Sequence, residues 1–435
     1  MCRVLEPSNL SSIVTPFFSA LPWIINAYIL AFGGLLLFGG RVGDLYGRRK
    51  VFRVGLIMFT AASLLGGLAS NLSFLIASRG LQGIGAALAA PNALALIASN
   101  FPVGKSRNSA MAVYGAMSAL GITIGVLLGG FLTAMLSWRW VFFINVPIGL
   151  AVLLGTTSLV EGKRNKGRLD IFSAVSGVGA TIALTFSITR GGEHGWSDAL
   201  TLGSFAVFMG LLIIFLLLQK GNKSPMLPLD LFSDRNRTGS YISMLFIGAG
   251  LMGTFYLLTL YLQQVLQFNP LKTGLSSLPF SAGIILGAGI SSKLVERLTP
   301  RSVAAPGLLI AAAGMYWLST LGFGSSYTGH ILPAVFITSF GLGLSAVAMT
   351  LTAVHRVTED RAGIASALVN MAQQIGAALG LAVFTTVATS AVNDQEFVRS
   401  ATEAVAHGYT SAFLFAAGML LVAAVIVFLL INTKH

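Results

Sequence analysis

Thirteen apolar runs of about 20 residues leave this chain few possible folds. They lie near 18–39, 52–69, 72–98, 108–134, 138–160, 170–189, 199–219, 239–265, 272–293, 303–323, 329–353, 362–390 and 410–432. A helix of that length crosses roughly 30 Å of hydrocarbon. Hydrocarbon offers no hydrogen bonds, so each run must satisfy its own backbone as a helix. A transmembrane barrel would show shorter segments of alternating polarity instead. Composition agrees: 55% of the residues are hydrophobic and 9% are charged. Soluble domains carry about 25% charged residues. A soluble enzyme, a disordered chain and a collagen-like fibre are excluded. The expected class is an all-α polytopic membrane protein with about 13 transmembrane helices.

Basic residues orient the spans. The first connection holds Arg41, Arg48, Arg49, Lys50 and Arg53, and the next holds none. Lys105 and Arg107 follow, then Arg139 alone. A cluster at 163–168 precedes Arg190 alone, and one at 220–237 precedes Lys272 alone. Lys293, Arg297 and Arg301 precede a connection with none. Arg356 and Arg361 precede Arg399 alone. This unbroken alternation places the basic-rich loops and the C-terminus in the cytoplasm. Thirteen spans then put the N-terminus outside, and no signal-peptide pattern occurs. The expected location is the plasma or inner cell membrane.

Several chemistries are excluded. A lone Cys2 forms no disulfide or thiolate cluster within the chain. The five histidines, at 194, 330, 355, 407 and 435, show no metal-ligand spacing. The net charge of +13 belongs to the loop asymmetry rather than to nucleic acid. Gly248–Gly253 spells GxGxxG inside a span with no preceding strand, so it is no dinucleotide site. No P-loop and no nucleophile–base pair occurs. An enzyme, a cofactor and a metal are not expected.

An offset of 252 residues relates Arg41, Asp44 and Arg49 to Lys293, Glu296 and Arg301. Repeated halves mark secondary transporters; chance similarity of two basic loops is the alternative. Under this offset Met1 corresponds to Gly253, inside the eighth span, so the N-terminal half is expected to be one helix short.

The stretch Gly40-Arg41-Val42-Gly43-Asp44-Leu45-Tyr46-Gly47-Arg48-Arg49-Lys50 resembles the signature loop of the major facilitator superfamily. Leu75–Gly85 is similar to its Arg-bearing motif. Trp138–Gly149, and Gly363–Ser366 with Asn370, Gln373, Gln374, Gly376 and Gly380, resemble its fourteen-helix drug:proton antiporter family. The resemblance implies two six-helix bundles with two inserted helices between them. Residues 1–160 would then form an N-terminal bundle of five spans, lacking the first family helix and the Asp it bears. Residues 161–237 would hold the inserted pair and a cytoplasmic linker, and 238–435 the C-terminal six-helix bundle. Gly121, Gly125, Gly129 and Gly130 match the glycines of the antiporter motif, whose proline is replaced by Val126.

The resemblance makes Gly40, Arg41, Gly43, Asp44, Gly47, Arg48 and Arg49 a conformational latch; the bland alternative is a basic anchor with one balancing acid. Arg79 is the one basic residue expected well inside a span, at a cost of about 2.5–3.5 kcal/mol on insertion scales. Arg79 and Gln82, one turn apart, are candidates for coupling or anion contact; a snorkelling Arg is the alternative. No acid is expected within a span. Ser366, Asn370, Gln373, Gln374 and Ala377 share a helical face that either lines a cavity or glues helices. Asn26, Tyr256, Gln263 and Gln264 are further cavity candidates. The glycine pairs provide close packing or a sliding face.

The expected function is secondary active export of amphiphilic drugs or other small molecules by alternating access, with proton coupling, and multidrug resistance as its outcome. The expected partners are a small-molecule substrate, protons and the bilayer, with no nucleic acid, in a monomer. The alternatives are a truncated transport-inactive paralogue acting as an interaction or sensor protein, or a carrier of other solutes.

Overall fold

A computed structural model describes residues 7–100, 121, 124–125, 127–161, 170–221, 227, 229–322, 325–355, 357, 359–393 and 401–432. Among these, twelve helices are long and apolar enough to cross a membrane. The thirteenth expected span, 108–134, lies partly outside the described residues; its 127–135 stretch is helical. Val126 and the loop bases Lys105, Arg107 and 163–168 also lie outside them.

The helices are α1 (Pro7–Tyr46), α2 (Arg48–Gly67), α3 (Leu72–Asn100), α4 (127–135), α5 (Trp140–Phe143) and α6 (Asn145–Gly155). Then come α7 (Ile171–His194), α8 (Ala199–Gly221), α9 (Arg235–Leu260), α10 (Pro270–Ser276) and α11 (Leu278–Leu294). The last four are α12 (Pro300–Ser319), α13 (Leu332–Val354), α14 (Glu359–Asn393) and α15 (Ala401–Leu430). A π-helical turn, Tyr261–Val265, extends α9. Polar caps start several helices. Asp170 accepts from the Ser173 amide at 3.0 Å and Asp234 from the Arg237 amide at 2.9 Å. Asn269 accepts from the Lys272 amide at 2.8 Å. Each satisfies an orphan donor of the first turn.

The expected ends are corrected in places. α1 runs through Tyr46, seven residues beyond the expected end at 39, and so carries Arg41 and Asp44 on its last turns. Arg190 likewise lies in the last turns of α7. Arg79 is therefore not the only base in a helix that crosses, although it is the one set well inside its span. The acids among the described residues keep to span edges and loops.

Within the described residues, α1 packs on α3, and α2 on α3 and α6. α9 packs on α13, α14 and α15, α11 on α13, and α12 on α13 and α15. The two sets meet where α1 packs against α14. α7 lies along this seam, touching both α1 and α14, while α8 touches α7 and otherwise presents apolar side chains outward.

Buried hydroxyls cap backbone carbonyls one turn back. Thr60, Ser243, Thr254 and Thr352 each donate to the residue four positions earlier, at 2.6–2.8 Å. Glycines do the rest by letting backbones touch. A Cβ at Gly376 would lie 2.6 Å from the Leu245 Cα, and one at Gly380 would lie 2.6 Å from the Ala249 Cα. Gly248 of the GxGxxG stretch faces the Gln373 backbone. These are helix contacts, as the missing strand implied. By contrast, Gly210 of α8 has nothing near its Cβ direction.

Gly376→Val is expected to cost about 1–3 kcal/mol through overpacking against α9. In detergent, thermal unfolding should shift down for Gly376→Val and stay at or above the parent value for Gly210→Ala.

Candidate functional site: a seam cavity, a buried arginine and a cytoplasmic loop

A cavity of about 700 Å³ opens at the seam. Its walls come from α1 (Ile29), α4 and its preceding glycines, α9, α10, α11 and α14. Gln373, Gln374 and Ala377 face it from α14, and Gln263 from the π-helical turn. Phe255 and Phe280 form an aromatic corner with ring centroids 5.7 Å apart. Thr133, Thr259, Thr273 and Ser277 add hydroxyls. No Asp, Glu, Lys, Arg or His is among the described lining residues.

The cavity gathers only part of the expected set. Asn370 stays outside it, exposed, with its Nδ2 donating to the Ser366 carbonyl at 3.0 Å. The shared face of 366–377 splits because α14 turns only its 373–377 stretch to the seam. Gln264 points the other way and accepts from the Tyr409 hydroxyl at 2.7 Å. Tyr256 is buried in the C-terminal core and Asn26 between helices; neither lines the cavity. The Tyr256 hydroxyl and the Asn26 Oδ1 have no hydrogen-bond partner among the described residues.

The antiporter-motif glycines behave differently from close-packing residues. Gly121, Gly125 and Gly129 have nothing within 4 Å of a built Cβ and border open space. Gly130 alone packs closely: a Cβ there would lie 2.9 Å from the Pro270 carbonyl oxygen.

Arg79 is held by uncharged partners. Its Nε donates to the Ile24 carbonyl at 3.0 Å and its Nη1 to Gln82 Oε1 at 2.6 Å. Gln82 in turn donates to Ser63 Oγ at 2.7 Å, and Ser63 to the Phe59 carbonyl at 2.8 Å. The guanidinium carbon sits 4.4 Å from the Tyr28 ring centroid, a cation–π arrangement. The expected Arg79–Gln82 pair is thus present. Tyr28 and Ser63 escaped the sequence reading because their pairing joins distant parts of the chain. No carboxylate pairs with Arg79 among the described residues.

The signature loop is a turn between α1 and α2. Gly47 adopts φ 106°, the left-handed region where a Cβ is strained. Asp44 accepts from Arg48 at 2.9 and 3.1 Å. The Arg49 amide donates to Glu161 at 3.1 Å, and its side chain donates to the Thr156 and Thr157 carbonyls, each at 2.9 Å. These bonds tie the turn to the end of α6. Gly43 rests against Asn92, which donates to the Gly39 carbonyl at 2.9 Å. Gly40 faces Pro91 at an ordinary 3.7 Å. Arg41 lies half-buried beside this turn. Glu161 and Asn92 were missed because neither falls in the motif.

Gly47→Ala is expected to destabilise by about 1–2 kcal/mol from the backbone conformation, with its Cβ also 3.0 Å from the Glu161 carboxylate. Gly40→Ala should leave the thermal midpoint unchanged in the same unfolding assay.

Known proteins place this architecture. Residues 12–381 match the profile described as Major Facilitator Superfamily. The chain is 40% identical over 422 residues to the puromycin resistance protein pur8 of Streptomyces alboniger, covering 95% of this chain and 84% of that protein. It is 37% identical over 378 residues to the cephamycin export protein CmcT of Amycolatopsis lactamdurans, covering 86% and 78%. Its fold is similar to that of a POT family transporter at TM-score 0.67 and 15% identity, over 94% of this chain and 87% of that one. Twelve described spans, a seam cavity and this likeness identify an integral membrane transporter of small molecules, not an enzyme, and the chain belongs to the Major Facilitator Superfamily.

Proposed function

We propose that this chain exports amphiphilic small molecules from the cytoplasm, by alternating exposure of the seam cavity to the two sides of the membrane. The observation that carries this reading is the cavity's position. Its walls come from both helix sets that meet at α1 and α14, so motion of one set against the other changes its access. The division into 1–160, 161–237 and 238–435 follows as the proposed set of moving parts. The names of pur8 and CmcT, concerned with antibiotic resistance and export, support the export direction.

The proposed drive is the proton gradient across the cell membrane. One elementary charge moved through 100 mV supplies about 2.3 kcal/mol. Arg79 carries the proposed coupling role, since it holds a fixed positive charge at membrane depth through Gln82 and Ser63. The turn at Gly40–Arg49 acts as the proposed latch, by fixing α1 and α2 to the end of α6. A monomer with its C-terminus in the cytoplasm suffices, since one chain supplies every described wall of the cavity.

Expression in a susceptible host should lower cellular puromycin, and a protonophore should restore it. Arg79→Ala should reduce energised efflux at least about tenfold, a barrier change near 1.4 kcal/mol, with membrane expression intact. Unchanged efflux in that variant would overturn the coupling role.

A further inference from the structure

α3 turns its Arg79 toward α1, and the contact between these two helices fixes what the guanidinium meets. Gly83 lies one turn beyond Arg79 on α3. A Cβ there would lie 2.5 Å from the Tyr28 carbonyl oxygen and 3.1 Å from the Phe32 amide nitrogen, so the two backbones touch at this point. That approach brings the 24–28 turn of α1 within reach of Arg79. Its Nε donates to the Ile24 carbonyl at 3.0 Å, and one turn along α1 the Tyr28 ring covers the guanidinium carbon at 4.4 Å. Phe32 backs that ring, stacked at 5.9 Å with an interplanar angle of 22°.

Magnitudes give the ring its part. Arg79 follows the start of its span at Leu72 by about 10 Å of helix. The acceptors of its hydrogen bonds, the Ile24 carbonyl and Gln82 Oε1, are neutral. Each stabilises a cation less than a carboxylate would. An aromatic face adds negative potential without the desolvation of a second charge. Phe142 stands at 6.0 Å, the limit of useful attraction, so Tyr28 dominates. The other described arginine–ring pairs lie at span ends: Arg139 over Trp138 at 4.6 Å and Arg301 over Phe428 at 4.3 Å. Water weakens such pairs, whereas at membrane depth the Tyr28 pair keeps its strength. Tyr28 also packs against Ile29, Leu30, Ala377 and Ala378, the cluster where α1 meets α14. α1 therefore supplies both the ring and a carbonyl to Arg79 while it forms the seam.

We infer that Tyr28 is a positioning residue for Arg79: the negative face of its ring, rather than its bulk, holds the guanidinium beside the seam helix, and energised efflux depends on that hold. The inference rests on the coupling role proposed for Arg79 and names the group that positions it. Tyr28 is not among the described residues lining the cavity, so its effect runs through Arg79 rather than through the substrate.

The test varies the ring's charge without its shape. Tyr28→Phe is the reference, and the same substitution is made with mono-, di- and trifluorophenylalanine. Each fluorine draws electron density from the ring face and weakens its hold on a cation. Two measurements use the full chain. In detergent, the thermal midpoint should fall with each fluorine when Arg79 is present and should ignore fluorination in an Arg79→Leu background. In cells loaded with puromycin, Tyr28→Phe should keep at least about half of the energised efflux, and the trifluoro variant should run at least about fivefold slower than that reference. The drop should appear in the maximal rate, with KM within about twofold, as a group acting through Arg79 requires. Midpoints that ignore fluorination with Arg79 present overturn the ring–cation contact. Graded midpoints with flat efflux overturn the positioning role alone, provided Arg79→Ala still stops efflux. A rise in KM without a change in maximal rate makes Tyr28 a substrate contact and overturns the inference, as does loss of efflux in Tyr28→Phe. Unchanged efflux in Arg79→Ala is a separate failure: it removes the coupling reading, and the positioning role goes with it. Absence of efflux by the parent chain removes the transport reading and this role together, whatever the midpoints show.

Discussion

The bilayer interior supplies no hydrogen bonds, and nearly every feature of this protein follows from that absence. Thr254 and Thr352 return their hydroxyls to their own helices. Gly248, Gly376 and Gly380 bring α9 and α14 into backbone contact, because packing rather than the hydrophobic effect must hold helices together there. The ion pairs among the described residues keep to the edges: Asp44 with Arg48, and Arg190 with Asp198. Asp198 shows how well such an edge group is held. The Arg190 hydrogen bond, followed by the Thr201 amide, lowers its carboxyl below the ordinary carboxylate value. Its contribution is therefore present at neutral pH and fades as pH falls through that lowered value.

Against this background, two departures stand out. Arg79 places a charge well inside its span and holds it with a carbonyl, an amide and the Tyr28 ring rather than an acid. The seam cavity is lined by Gln263, Gln373 and Gln374, with Thr and Ser residues, among mostly apolar side chains. α7 links the two regions, since it touches α1, which carries Tyr28, and α14, which carries Gln373.

The order of the helices was legible because membrane spans are written in one dimension, and run length gives the element. The glycine spacing at 121, 125 and 129 was equally visible, but its use was not. Spacing predicts a face that permits close approach, whereas here that face borders a cavity. Only the three-dimensional arrangement decides which neighbour, if any, fills such a groove. The same limit explains the amides. Gln263 and Gln264 are adjacent in sequence, yet one lines the cavity and the other bonds Tyr409, because successive residues of a helix point to different sides. Helical periodicity also grouped Asn370 with Gln373, but Gln373 lines the cavity and Asn370 does not. Tyr28 and Ser63 came to Arg79 through tertiary contact, which no local pattern encodes.

In the proposed transport cycle the walls of the seam cavity move against each other. Gly130 meets the Pro270 carbonyl at one end of the cavity, so the separation of α4 and α10 there reports its closure. Leu136 directly follows α4 and Leu275 lies in α10; both are exposed, and Cys2 is the sole cysteine of the sequence. Spin labels at Leu136→Cys and Leu275→Cys in a Cys2→Ser background give the distance by pulsed electron resonance in nanodiscs. The account predicts two distance populations whose proportions change with pH and with puromycin. A single distance, unchanged by either, would contradict it.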